Sequence, residues 1–258
     1  MELGGGFFFH PGDIDNIGDT HRVNNAIKWT KVGASFMTTA LFSLGGKAGQ
    51  FSQNQIWSLG ANYSSNSLSL AAAYLNVRNP NTSFFTDSTT LNSSLTNFSN
   101  RPVFAGYASA RTYQVAGAAA RYAWGQAVFN VVYTNIKFSG LGDLGSGPNA
   151  LGYSGSAVFN NVEVGATYRI TPALLAGLAY NYTHNGGASG RGSAIYNEVM
   201  GGVDYLLSKR TDVYAGVIWA QARGTDSLGE PAVAQASVSA ASGRSRQTDA
   251  RIAMRHRF

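Results

Sequence analysis

The chain has 258 residues, with 19 Lys and Arg against 13 Asp and Glu for a net charge of +6, and it contains no cysteine. That excludes disulfides and thiolate metal sites, and a mean hydropathy of −0.09 with 12% charged residues suits neither a helical enzyme nor a chain crossing a membrane by helices. The 31 glycines, 6 prolines and 12% aromatics fit strands joined by polar loops, in one large β domain or two small ones.

Alternation of apolar and polar residues predicts eleven strands, over residues 20–30, 35–45, 53–63, 67–77, 111–123, 126–138, 157–170, 173–184, 195–207, 211–223 and 246–258. Each is near the length of about 9–11 residues that crosses a bilayer as a tilted β-strand. Trp57, Leu59, Ala61 and Tyr63 share a face opposite Ser58, Gly60 and Asn62. Phe129, Val131 and Tyr133 oppose Asn130 and Thr134. Val162, Val164, Ala166 and Tyr168 oppose Asn161, Glu163, Thr167 and Arg169, and Val199, Val203 and Tyr205 oppose Glu198 and Asp204. In the last segment Ile252, Met254, His256 and Phe258 lie on one face, and Arg251, Arg255 and Arg257 on the other. The most apolar run, Ala173 to Tyr180, is too short for a spanning helix.

The links between these segments alternate strictly. Short links at 31–33, 64–66, 124–125, 171–172 and 208–210 are interleaved with long ones at about 45–52, 78–110, 139–156, 185–194 and 224–245. A transmembrane up-and-down β-barrel has this order, with tight periplasmic turns and long outer loops. A Greek-key sandwich has no reason to keep it. Aromatics near strand ends, Trp29, Trp57, Tyr63, Tyr74, Tyr133, Tyr168, Tyr180, Tyr182, Tyr205, Tyr214 and Trp219 among them, read as interfacial girdles.

Motifs for bond chemistry fail on their context. Gly140-Leu141-Gly142-Asp143-Leu144-Gly145 has dinucleotide-site spacing, but Ser146-Gly147-Pro148-Asn149 starts no helix to hold a phosphate. Asp13 to Gly18 resembles the start of a calcium loop, yet the fifth position is Ile17 and the twelfth Asn24. Histidines 10, 21, 184 and 256 lack metal-ligand spacing; His184 reads as a loop residue and His256 as lipid-facing. Gly152 to Ser156 lacks the second glycine of a nucleophile elbow. Asn81 and Asn92 match a glycosylation pattern that matters only in a eukaryotic secretory pathway. No cofactor, no metal, no nucleic acid and no enzyme activity are expected. The cations are scattered singly rather than clustered, apart from the 244–257 region.

Five stretches carry a resemblance: Phe9 to Asn16, Arg22 to Trp29, Leu68 to Asn76, Leu207 to Tyr214, and Arg255-His256-Arg257-Phe258. Together, and in this order, the chain resembles the Gram-negative general porins, especially their beta-proteobacterial branch. The resemblance implies an all-β, antiparallel transmembrane barrel of about 16 strands with a water-filled channel narrowed by an inward-folded third loop. The stretch His10 to Asp13 is similar to that loop, so residues 1–258 would hold 11 of the strands, with five strands and a signal peptide absent through a truncated gene or a misplaced start codon. Such a piece is expected not to form the normal channel alone. The implied function is passive diffusion of ions and small hydrophilic solutes across the outer membrane.

By the same resemblance Asp13, Asp15 and Asp19 would belong to the constriction loop. Strand parity adds Arg22, Lys28, Arg251, Arg255 and Arg257 as candidates for a basic wall, with Glu163, Arg169, Glu198 and Asp204 also lumenal. The arginine excess points to anion preference. Phe258 would be the signal read by the outer-membrane barrel-assembly machinery. Outer-membrane lipid and a homotrimer of the same chain are the other implied partners. An autotransporter or enzyme barrel, a soluble β-rich binding module, and a non-functional truncated porin stay open as alternatives.

Overall fold

The computed structural model describes residues 8–46, 48–85, 96–98 and 101–258. Its described part is an eleven-stranded antiparallel sheet in which each strand pairs only with its neighbours in sequence. The strands are β1 (Ala26–Val32), β2 (Phe36–Ser43), β3 (Ile56–Ser64), β4 (Leu68–Arg78), β5 (Thr112–Trp124), β6 (Ala127–Leu141), β7 (Gly155–Arg169), β8 (Leu174–Asn185), β9 (Ala194–Leu206), β10 (Thr211–Gly224) and β11 (Arg246–His256). All eleven fall where alternation predicts them. Among the described residues no ladder joins β1 to β11, so each presents one edge.

Two boundaries differ from the sequence reading. The first strand begins at Ala26 rather than residue 20, because Asn25 has a left-handed φ of +52° that interrupts the extended backbone. Arg22 therefore lies in a loop. The sixth strand runs on to Leu141 rather than ending at residue 138, with Gly140 (φ +65°) in a register shift between Ser139 and Leu141, and no helix follows, as the sequence reading expects. His184 lies inside β8, not in a loop. Asn81 is in a short helix, Pro80–Ser83, and Asn92 and the segment Met1 to Gly6 lie outside the described residues.

Links of two to four residues at 33–35, 65–67, 125–126, 170–173 and 207–210 alternate with long ones at 44–55, 79–111, 142–154, 186–193 and 225–245. The tightest, Gly125-Gln126, needs the left-handed φ of +59° at Gly125.

The two faces of the sheet differ in what covers them. One row of paired positions reads Glu163, Asn181, Glu198, Ala220 and Gln247. The adjacent row, one residue over, reads Val162, Tyr182, Asn197, Gln221 and Arg246 and faces the opposite way. The first face is covered by the chain's own loops: residues 8–25, the turn around Ala105–Tyr107, and the segment 225–245. Here Gly106 approaches the Ser227 carbonyl so closely that a Cβ would overlap it. Under the long loops this inner face carries an aromatic cluster of Phe84, Phe85, Phe104, Tyr107, Tyr113, Phe138 and Phe159. The second face is bare and apolar, exposing Leu59, Val131, Val164, Leu178, Val203, Val217 and Ile252.

A bare apolar outer face with a polar inner face is the inverse of a soluble sandwich, and it suits a sheet whose outside meets hydrocarbon. A charge at Val164, in mid-strand on the outer face, therefore costs more than one on the inner face. Val164→Lys is expected to destabilise the protein by about 2–4 kcal/mol in lipid vesicles, against much less for inward Thr167→Lys. Urea titration of the vesicle-folded variants measures both.

Candidate functional site

The inner face holds two distinct zones. In the upper zone, nearer the long loops, residues 8–25 lie against β5–β8. Tyr113 donates its hydroxyl proton to the Ile14 carbonyl at 2.6 Å. Thr134 on β6 donates to Asp15 Oδ2 at 2.7 Å. His10 is fully buried between two carboxylates, with Nδ1 2.6 Å from Asp15 Oδ2 and Nε2 3.4 Å from Glu163 Oε2. Asn130 on β6 donates to the other Glu163 oxygen at 3.1 Å.

The same loop is tied to the segment before β11. Gly12 N–H donates to the Ser237 carbonyl at 2.8 Å, and Ser237 N–H donates to Glu198 Oε1 at 3.1 Å. Pro11, Gly12 and Asp13 form one short 3₁₀ turn, with Gly12 at φ +64°. Asp13 closes the loop on itself, accepting from Gly18 N–H at 2.9 Å and from the Thr20 hydroxyl at 2.6 Å. At the loop's far end His21 meets Arg101 at 2.8 Å.

Burial and charge set the protonation of the loop groups. Burial alone would push His10 down, but the Asp15 carboxylate and its hydrogen bond, then Glu163, outweigh it and push the imidazole up to about 10. Burial likewise pushes Asp15 up, and the His10 charge overcomes that and holds its carboxyl below the usual range. For Asp13 burial prevails and pushes its carboxyl up, against the bonds from Thr20 and Gly18 and the weaker pull of the Arg101 charge.

Between this loop and the inner faces of β2–β5 a cleft of about 780 Å³ remains open, lined by Asp19, Arg22, Thr39, Ser58, Leu75 and Val115 among others. Asp19 and Arg22 are exposed at its edge, whereas Asp15 meets it only from the buried side.

The lower zone, nearer the short links, is rich in arginine. Arg255 grips Asp212 with two bonds, Nε to Oδ1 at 3.0 Å and Nη2 to Oδ2 at 2.6 Å, and lies 3.6 Å from Asp204 Oδ2. The Arg251 guanidinium lies 5.5 Å from the centre of the Tyr214 ring. Lys28, Arg169, Arg251 and Arg257 are exposed.

The structure thus brings Asp15, Glu163 and His10 into one buried cluster, with Glu198 attached through Ser237, and brings Asp204 to Arg255. Arg22, Lys28, Arg169, Arg251 and Arg257 stand apart from these. Three inner-face residues escaped the sequence reading. Arg121 faces inward beside Asn130, as the outward parity of Ala120 and Tyr122 could have shown. Asp212 is completely buried and pairs with Arg255 across two strands, and His10 organises the loop. Asp212 lies 43 residues from Arg255, and His10, although five residues from Asp15, lies far along the chain from Glu163.

A family model described as Gram-negative porin matches residues 2–225. Among solved structures, the outer-membrane expressed OmpT of Vibrio cholerae shares 13% identity with a TM-score of 0.60, covering 90% of this chain and 64% of that one. An anion-selective porin from Comamonas acidovorans shares 15% with a TM-score of 0.61, covering 92% and 60%. The trimer form of in-vitro folded V. cholerae OmpT shares 15% with a TM-score of 0.60, covering 97% and 70%. The chain therefore spans 64% and 60% of the length of the first two. A search of curated proteins returned no match.

The His10 cluster gives the loop attachment a pH window. A raised imidazole stabilises fully below its ordinary value of 6.5 and loses that contribution as pH climbs towards about 10. A lowered Asp15 stabilises above its ordinary 3.8 and loses its contribution as pH falls through the lowered value. Amide protection at Asp13–Gly18, corrected for intrinsic exchange, is expected to peak between about pH 4 and 6.5. Asp15→Asn should lower the peak and flatten its alkaline side, as hydrogen–deuterium exchange would show.

Proposed function

Because the chain belongs to the Gram-negative porin family, we propose that its eleven strands form most of the wall of a water-filled outer-membrane channel for passive diffusion of ions and small hydrophilic solutes. Residues 8–25 are the segment that narrows it. Permeation requires no bond chemistry, so the working parts are the width left by that loop and the field of the charges that reach water.

One observation carries the selectivity. On the inner face the strand cations Lys28, Arg121, Arg169 and Arg251 are exposed, while the carboxylates of Glu163, Glu198, Asp204 and Asp212 are buried. Glu163 lies beneath His10 and Glu198 beneath Ser237, and Asp212 is neutralised by Arg255. Of the inward strand acids only Asp249 is partly open. A solute in the lumen therefore meets mainly positive charge, although the strand charges nearly balance by count. Asp19 and Arg22 at the cleft edge add a local acid–base pair of sites rather than a wall-wide field. This supports anion preference, the property that names the Comamonas neighbour.

The edges of β1 and β11 call for closure. A backbone group without a partner in hydrocarbon costs several kcal/mol, so further strands must pair with both edges before the wall can hold water apart from lipid. We assign β11 to closure and assembly together, with Phe258, fully exposed on its outward parity, as a contact for the barrel-assembly machinery. A homotrimer is proposed from the trimeric neighbour.

The 258-residue polypeptide by itself is expected to give no discrete porin-size conductance steps in planar bilayers. Joined to the strands that close the ring, it is expected to show an anion-selective reversal potential in a tenfold KCl gradient. Arg121→Glu with Arg251→Glu should carry that potential across zero. A cation-selective parent channel would reject the reading.

A further inference from the structure

The outward faces of the strands carry a second charge asymmetry, which the channel reading leaves unused. All five strand carboxylates, Glu163, Glu198, Asp204, Asp212 and Asp249, point inward. The outward strand charges are Lys31, Arg78, Lys137, Arg223 and Arg246, and each is a cation. Lys31 is at the short-link end. The other four are at the long-loop end: Arg78 is the last residue of β4, Lys137 lies four before the end of β6, Arg223 is next to last in β10, and Arg246 opens β11.

A local pattern places three of these four. Outward on β4 come Tyr74, Asn76 and Arg78; on β6, Tyr133, Asn135 and Lys137; on β10, Trp219, Gln221 and Arg223. Aromatic, amide and cation recur at every second residue as the strand climbs towards its long loop. On β8 the same positions read Tyr180, Tyr182 and His184. The step from aromatic to cation is four residues, about 13 Å along the strand and about 10 Å along the membrane normal at a barrel strand's tilt. An aromatic ring seated about 4 Å inside the hydrocarbon boundary therefore puts the cation about 6 Å beyond it, among the lipid headgroups, a layer about 5–7 Å deep on each side.

Nothing in the described structure neutralises these cations. No carboxylate lies within 4.0 Å of Arg78, Lys137, Arg223 or Arg246 among the described residues, and Asp143 at the same end is taken by Arg111 at 3.1 Å. Arg78 lines a cleft with Arg111 and Asp143, and Lys137, Arg223 and Arg246 stand on separate strands of the outer face, so each is placed to meet its own anion.

We infer that Arg78, Lys137, Arg223 and Arg246 form a collar that binds the phosphate headgroups of lipids in the loop-side leaflet. The inference rests on the outward face being the lipid face. Below Lys137 and Arg223 an amide can hydrogen-bond the ester region, and below Arg78, Lys137 and Arg223 an aromatic ring packs on the first methylenes, so these strands read a phospholipid from phosphate to chain. Arginine takes a phosphate oxygen pair bidentately, and lysine takes it as a point charge.

The test uses the full 258-residue chain folded into dodecyl maltoside and titrated with phosphatidic acid, with chain-matched diacylglycerol, and with inorganic phosphate, bound lipid being counted by native mass spectrometry. Phosphatidic acid should be retained, diacylglycerol should not, and millimolar phosphate should fail to displace the lipid. The variant carrying Arg78→Gln, Lys137→Gln, Arg223→Gln and Arg246→Gln should bind phosphatidic acid at least tenfold more weakly. The inward pair Arg121→Gln and Arg251→Gln should leave binding unchanged. Each outward single variant, a smaller perturbation of folding, should lose about a quarter of the bound lipid. Equal binding by the fourfold variant, equal loss in the inward pair, or displacement by inorganic phosphate would overturn the collar while leaving the channel reading intact. Failure of the parent chain to float with phosphatidylcholine vesicles would instead overturn the lipid-facing reading, and the collar with it.

Discussion

Antiparallel pairing between sequence neighbours is the constraint on which everything else in this protein depends. In hydrocarbon a backbone N–H or C=O has no solvent to turn to, so every such group must be satisfied by an adjacent strand. Ten ladders run unbroken from β1 to β11 apart from one register shift at Gly140. Once the ladders are fixed, the period of two decides the face of every side chain, and a slip of one residue would turn Val164 inward and Glu163 into lipid. The faces in turn decide which charges see water, which see loops and which see lipid.

The inner face shows why counting charges misleads. Its strand acids and bases nearly balance, yet short carboxylates are easily covered, because loop N–H groups and neighbouring strand side chains can reach and hydrogen-bond them. Ser237 does so for Glu198, Asn130 for Glu163, and Thr134 for the loop carboxylate Asp15. Arginine and lysine carry their charge at the end of a long stem and extend it beyond the packed layer. The residual field is therefore positive although the wall's composition is close to neutral. The loop of residues 8–25 is held by the same burial: His10, placed between Asp15 and Glu163, converts two costly buried carboxylates into one satisfied cluster.

Much of this was legible before any coordinates. The inward position of Arg251 and Arg255 and the outward position of Ile252 and Met254 follow from counting by twos, as does the alternation of short and long links. The start of β1 was not legible, because Arg22-Val23-Asn24 alternates well enough to be extended, and only the left-handed Asn25 ends the loop. Asp13 and Asp15 read as loop acids, but their burial depends on Thr20, Thr134 and His10. Two of those partners lie within seven residues, and one lies 119 residues away.

The sequence by itself determined the strands, their order and the face of each residue, because those follow from a period of two and from link length, both local properties of the chain. Only the tertiary structure decided which inward charges remain open to water. That outcome depends on which loop lies over which rung of the ladder: residues 8–25 over β5–β8, and 225–245 over β9. Burial of a carboxylate is a property of its cover, and the cover comes from residues far away in the sequence.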